Sequence, residues 1–218
     1  MRKPFSVSAA VFLLLLISPN LTAVAQSAFA DAPSRCAAIP QLGTAQKLET
    51  LGERLLYRLA YRRFAGHESL VTNHSVGGRA IAAPRWYEIR DPSNVPVVAQ
   101  QGTFSPDSTS RWIGSIAVDG FGNISLGYSA SSKRIHPSIR IAAQKFGGPS
   151  GMLGTEQIIL DSRSSQEGDD AERWGDCSSM SIDPVDGTTF WFTTEYLAKS
   201  ENSSFSWSTR IVAFKVGK

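Results

Sequence analysis

The chain has 218 residues, 42% of them hydrophobic, and 22 Lys and Arg against 19 Asp and Glu for a net charge of +3. That length suits a single all-β domain with a sizeable core. The charge is too even and too scattered for a nucleic-acid surface, and Arg58, Arg62 and Arg63 alternate with apolar neighbours as on a solvated strand face.

The N-terminus reads as a secretory signal. Arg2 and Lys3 form a basic head, Val7 to Ile17 an apolar core, and Ala23-Val24-Ala25 a small-x-small cleavage site, with Ala28-Phe29-Ala30 as a second option. The apolar run is short for a bilayer span and is interrupted by Ser18, Pro19 and Asn20, although an uncleaved anchor is the alternative reading. Cleavage after Ala25 predicts a secreted or periplasmic chain free of the membrane. It also removes two basic residues and no acid, so the basic pI owes much to the signal.

Residues 26–53 read as an exposed N-terminal arm, rich in Ala, Pro, Ser and Gly up to residue 44. Leu48, Leu51, Leu55 and Leu59 recur at helical spacing, interrupted by Gly52, and a short helix over 45–51 leading into a strand is expected. The two cysteines, Cys36 and Cys177, could form a disulfide in an oxidising compartment or remain two buried thiols. They make no metal site, and His67, His74 and His136 show no ligand spacing with them.

Two later stretches are copies of each other. Arg111-Trp112 opens an alternating strand ending at Asp119, followed by a Gly-bearing turn and a second strand to Tyr128. Arg173-Trp174, Asp183, Gly187 and Phe190 to Thr193 repeat the plan. Ser138 to Phe146 then reappears as Ser208 to Val216, so the copies are spaced by 62 to 70 residues. A fainter copy aligns Arg85 to Arg90 with Arg210 to Lys215, and a turn at Phe64-Ala65-Gly66 with the one at Phe121-Gly122. Long repeats made only of short strands and turns are the mark of propeller blades. The expected fold is therefore all-β: a partial β-propeller of about three blades, over 54–102, 111–161 and 173–216, of mostly four antiparallel strands. In the middle blade the strands are expected at 111–119, 123–131, 137–146 and 155–161. The third blade has three, and the segment 36–44, its own or a partner's, could supply the fourth.

Three blades cannot close a ring, so outer faces carrying Leu56, Leu70, Phe190, Phe192 and Phe214 call for self-association or for missing blades. Asn73, Asn123 and Asn202 fit the glycosylation acceptor pattern, which matters only in a eukaryotic secretory pathway. Asp169, Asp170, Glu172 and Asp176 could offer oxygens to Ca²⁺, but their spacing matches no defined calcium loop and a solvated acidic loop is the plainer reading.

The run Arg173 to Trp191, with Gly175-Asp176 before a strand, an Asp-containing turn at Asp183 and an aromatic strand at Phe190-Trp191, resembles secreted bacterial propellers of the sialidase-like, Asp-box type. From about Ile39 to Lys218 the chain looks like the C-terminal half of a larger protein of that kind. It departs from the pattern at Cys177, where a Tyr is usual, and in the extra residues before Gly187. The resemblance implies a fold and no particular activity. In true sialidases three arginines grip a carboxylate, a Tyr paired with a Glu is the nucleophile, and an acidic residue is the acid/base; here Arg85, Arg140, Arg210, Tyr128, Glu195 and Asp176 would fill these roles. The plainer reading pairs Arg140 with Asp119 and Arg210 with Asp183 as recurring salt bridges, a pairing broken in the first blade where the Asp position is Arg62. Trp112 and Trp174 either pack, with Arg111 and Arg173 stacked on them, or stand exposed to stack on sugar rings. Two functions follow. One is a secreted non-catalytic propeller-type binding or scaffold module with a glycan or protein ligand. The other is a sialidase-like glycoside hydrolase acting on extracellular glycans.

Overall fold

The computed structural model describes residues 30–31, 37–52, 54–77, 81–168, 173–176, 178–199 and 207–217. The signal segment, Cys36, Cys177, Asp169, Asp170, Glu172 and Asn202 lie outside the described residues. The described chain is all-β, without a helix. Its first sheet is a meander of β4 (Ala60–Arg63), β5 (Glu68–Gly77), β6 (Ala82–Arg90) and β7 (Val97–Thr103), with β1 (Ala30–Asp31) on the same edge of β5 as β4. The second contains β8 (Ser110–Val118), β9 (Ile124–Ser132), β10 (Ile135–Gln144) and β11 (Gln157–Asp161); the third contains β12 (Ser179–Ile182), β13 (Phe190–Leu197) and β14 (Trp207–Phe214). A small pair, β2 (Ala37–Ile39) with β3 (Leu48–Glu49), precedes them. All pairings are antiparallel, and no sheet closes on itself.

The repeat copies fall on equivalent strands: the third strand of each meander (β6, β10, β14) carries Arg85, Arg140 and Arg210. Side-chain carboxylates make the turns. Asp119 accepts from the backbone N–H of Phe121 and Asn123 at 2.9 and 2.8 Å. In the third sheet Asp183 accepts from Val185 N and Asp186 from Thr188 N and Thr189 N, each at 2.8 Å. Such bonds let a short polar side chain replace part of the backbone ladder at a reversal.

The second sheet is the middle layer. Val71 and Trp86 of the first sheet pack with Ile116, Val118, Ile124, Leu126 and Tyr128 on one of its faces. Met180, Phe190 and Phe192 of the third sheet pack with Ala117, Ile139 and Ile141 on the other. Burial on both faces accounts for β8 being buried along its whole length and for the small residues Ser115, Ala117, Ser125 and Gly127 beside the large ones. A Cβ on Gly127 would lie 2.7 Å from the Phe192 ring, so the third sheet seats an aromatic in the space that glycine leaves.

The three sheets also meet at their turn ends. Arg62 of β4 donates Nε to Val118 O at 3.1 Å and Nη2 to Gly187 O at 3.4 Å, and Gly120 N donates to the same Gly187 carbonyl at 2.7 Å. Arg62, Asp119 and Asp183 are the same position of the repeat, so one guanidinium ties three copies where two of them use carboxylates. Gly187 has φ +67°, a conformation strained for a β-branched residue. Gly187→Val is expected to lower stability by about 1 kcal/mol or more and to lower the melting midpoint; an unchanged midpoint would refute this role.

Several sequence expectations are corrected. No helix forms over 45–51: Leu48 is in a strand paired with Ile39, and both are fully buried against Trp112, Trp174 and Leu197. A strand leaves the leucine free to reach this cluster while its backbone pairs with β2. From residue 39 the arm is docked rather than exposed. Gln41 exchanges bonds with the backbone of Gln166 (3.0 and 2.8 Å), and the Ser165 and Ser131 hydroxyls donate to Leu42 O and Pro40 O. Its strand pairs with β3, so it does not supply a fourth strand to the third sheet. Phe190 and Phe192 are buried against the second sheet, and Leu56 is buried too; the outer face of the third sheet carries Trp191 and Ile211 instead. The paired register puts Phe190 and Phe192 on the face opposite Trp191, and the close approach at Gly127 takes the smaller rings. Asn73 and Asn123 are buried, and Asn123 Nδ2 donates to Asp119, so neither is open to a glycan.

Candidate functional site

A groove of about 470 Å³ runs along the far end of the third sheet from its turn, lined by Gln166, Arg173, Gly175, Asp176, Thr193, Thr194, Glu195, Trp207 and Thr209. Glu195 and Thr209 are directly paired across β13 and β14. The loop entering β12 supplies the opposite wall. It is held from behind by Trp174, whose buried Nε1 donates to Ser129 Oγ of the second sheet at 3.0 Å. Gly175, at φ +41°, then turns its N–H onto Glu195 Oε1 at 2.7 Å. A Cβ there would come within 3.2 Å of the Glu195 carboxyl carbon, so glycine serves both the backbone and the approach.

Burial pushes the Glu195 carboxyl up to about 7, the nearby Asp176 charge adds to the rise, and the Gly175 N–H opposes it. Asp176 itself pairs with Arg173 at the surface. Near neutrality the groove thus presents a carboxyl that both donates and accepts, the hydroxyls of Thr193 and Thr209, and Trp207, which is 54% exposed.

The sequence-derived candidates divide. Glu195 and Asp176 share this groove. The arginines do not converge: Arg85 donates to Tyr87, Thr103 and Gln101, Arg140 to Glu156 and Asp161, and Arg210 is an exposed residue whose carbonyl accepts from Thr193. No two of them share a partner among the described residues. The salt-bridge pairing is corrected as well, since Asp119 and Asp183 cap their own turns and Asp183 also accepts from Trp191 Nε1.

Tyr128 is fully buried, and its hydroxyl donates to Glu156 Oε2 at 2.8 Å, not to Glu195. Glu156 also receives Arg111 (Nε, 2.6 Å) and Arg140 (Nη1, 3.3 Å), and Arg111 grips Asp107 through two further bonds. Burial followed by the Glu156 charge drives the Tyr128 phenol far above its usual range. Burial works against the Arg111 charge, but the bonds to Glu156 and Asp107 outweigh it and raise its pKa. Arg111 holds Asp107 at about 2. This closed ionic network was not expected from the sequence. In the sequence Arg111 stands out only as part of an Arg-Trp repeat, and no local motif marks Glu156.

Trp112 and Trp174 are core residues, 0% and 2% exposed, with ring centroids 6.1 Å apart. Neither is open to a sugar ring, and the partner of Arg111 is the Phe104 ring rather than Trp112. Among the described residues no group of three His, Cys, Asp or Glu is placed to hold a metal; of the four calcium candidates only Asp176 is described. No described helix is long and apolar enough to cross a membrane. No family profile, curated protein or solved structure matches the chain.

Proposed function

We propose that the chain is an exported, non-catalytic binding module of propeller type, its three sheets serving as blades, and that the third-sheet groove holds a neutral carbohydrate. The blade reading is supported by three successive meanders in register with the sequence repeat and stacked face to face. The observation that carries the ligand is the exposed Trp207 beside Thr193, Thr209 and a Glu195 carboxyl that is partly protonated near neutral pH. An aromatic platform with a few fixed hydroxyl and carboxyl groups matches a pyranose, which has one apolar face and a rim of hydroxyls. The Arg173–Asp176 pair leaves the groove near neutral, which disfavours a strongly anionic ligand.

A glycoside hydrolase is the second reading. It draws on Glu195, whose raised pKa beside Asp176 is the pattern of an acid working with a second carboxylate. A sialidase also needs the arginine clamp, which Arg85, Arg140 and Arg210 do not form here. Binding to an array of neutral oligosaccharides is expected, with at least a tenfold loss in Trp207→Ala and an unchanged melting midpoint. No sialoside turnover is expected. Glycan turnover that disappears in Glu195→Gln would overturn the non-catalytic reading, and no binding to any glycan would overturn the ligand.

A further inference from the structure

The three sheets stack head to tail through one kind of contact. Val118, Ile124 and Leu126, on one face of the second sheet, pack on the first sheet. The same positions of the repeat in the third sheet, Ile182, Phe190 and Phe192, pack on the second. Strand pairing fixes the correspondence: Val118 is opposite Ile124 and Ile182 opposite Phe190, and Val118 and Ile182 each directly precede the Asp that caps the turn. In both contacts large apolar residues of one sheet insert against the reverse face of the sheet before it. On the second sheet that receiving face is built of Ser115, Ala117, Ser125 and Gly127 with Ile141, and its small residues leave the room that Phe192 takes.

One face of each kind is left uncovered. The inserting positions of the first sheet are Leu59, Tyr61 and Leu70, with Tyr61 and Leu70 paired as Val118 and Ile124 are. Leu59 and Tyr61 are 48% and 53% exposed. The receiving positions of the third sheet are Ser179, Ser181, Trp191, Thr193 and Ile211, paired as their counterparts in the second sheet. Ile211 is 64% exposed, and the exposed Trp191 is held in place by its Nε1 bond to Asp183. Exposed apolar side chains gathered on one face of a sheet mark an interaction surface. The chain thus carries both halves of a contact that it already makes twice, an inserting face at one end of the stack and a receiving face at the other.

From this correspondence we propose that a second copy of the chain covers both faces. The first sheet of each copy docks on the third sheet of the other, and the two stacks of three sheets close into a ring of six. Two head-to-tail contacts of the same kind satisfy a two-fold axis. Six sheets fall within the range in which radially stacked blades close. The inference rests on the blade reading of the three sheets. It also constrains the sugar reading. Thr193 and Thr209 belong to the covered face, as their counterparts Gly127 and Ile139 do in the second sheet, so a sugar in the Trp207 groove competes with the second copy.

Sedimentation velocity of the full chain tests it. A dimer that dissociates on dilution is expected. Ile211→Arg and Tyr61→Arg, both at exposed positions, should each abolish the dimer while the far-ultraviolet circular dichroism stays that of the parent. Mixing the two variants should restore a dimer held by one intact contact, between the first sheet of the Ile211→Arg chain and the third sheet of the Tyr61→Arg chain. A parent chain that is monomeric at every concentration would overturn the proposal, as would species that keep growing beyond two copies. A dimer lost in Ile211→Arg but kept in Tyr61→Arg would overturn it too, by showing that the third sheet pairs with its own copy. An oligosaccharide that binds and leaves the dimer intact would overturn the shared face. Small-angle scattering of a monomeric variant checks the stacking separately: a profile that fits three stacked sheets, with no dimer in the parent, rejects the pairing alone, and one that does not fit rejects the blade reading with it.

Discussion

Replacing Glu156 by alanine is expected to lower the unfolding free energy by about 3–5 kcal/mol, the usual effect of removing one partner from a buried ionic network. Glu156 sits among Arg111, whose side chain is 1% exposed, and Arg140, at 10%. Without it Arg140 retains Asp161 and Arg111 retains Asp107, both at the surface, and two buried guanidiniums lose the carboxylate between them. The fully buried Tyr128 hydroxyl loses its acceptor as well, which alone costs about 1–3 kcal/mol. The network involves every strand of the second sheet: Arg111 on β8, Tyr128 on β9, Arg140 on β10, and Glu156 immediately before β11. Its loss should therefore lower the urea midpoint of the whole chain rather than loosen one edge. Glu156→Gln keeps the shape and one acceptor and should fall between the two. A loss below about 1 kcal/mol in the alanine variant would show that the network contributes little to stability.

The parts of this fold legible in the sequence were those set by local chemistry. Asp119 to Asn123 and Asp183 to Gly187 announce reversals because their carboxylates and glycines satisfy a turn by themselves, and the repeat then transfers that register from copy to copy. Strands of the second sheet fall within a few residues of their expected limits for the same reason. The arm was not legible, because Leu48 and Leu51 carry helical spacing and their burial depends on Trp112 and Trp174, which are remote in sequence. Nor could the facing of Phe192 be read, since it depends on the missing side chain at Gly127. At the site, Glu195 and Asp176 were reached through a resemblance that gave Glu195 the wrong partner. Tyr128 has its own glutamate, Glu156, and only the fold brings that pair together. Trp207 carries no sequence signal, since exposure of a strand residue is decided by which sheet covers it.

Glu195→Gln is expected to stabilise the protein at alkaline pH, by up to about 3 kcal/mol from 1.36 kcal/mol per pKa unit. The folded-state carboxyl is pushed up to about 7 from an ordinary 4.5, chiefly by burial. Between those values the folded state binds more protons than the unfolded one, so this group's contribution to stability falls as pH rises. It is fully present below about 4.5, lost progressively through the window, and gone above about 7. Glutamine keeps an acceptor for Gly175 N and has no charge to bury, so its stability should not fall across that window on this account. Urea midpoints of the two proteins should therefore coincide at pH 4, separate through pH 6, and differ most at pH 8. Parallel curves over this range would mean that Glu195 titrates as an ordinary surface carboxylate. The same comparison bears on the groove. A sugar that takes a hydrogen bond from protonated Glu195 binds more weakly above pH 7 in the native chain, whereas the glutamine variant, which still donates through its amide, binds without that dependence.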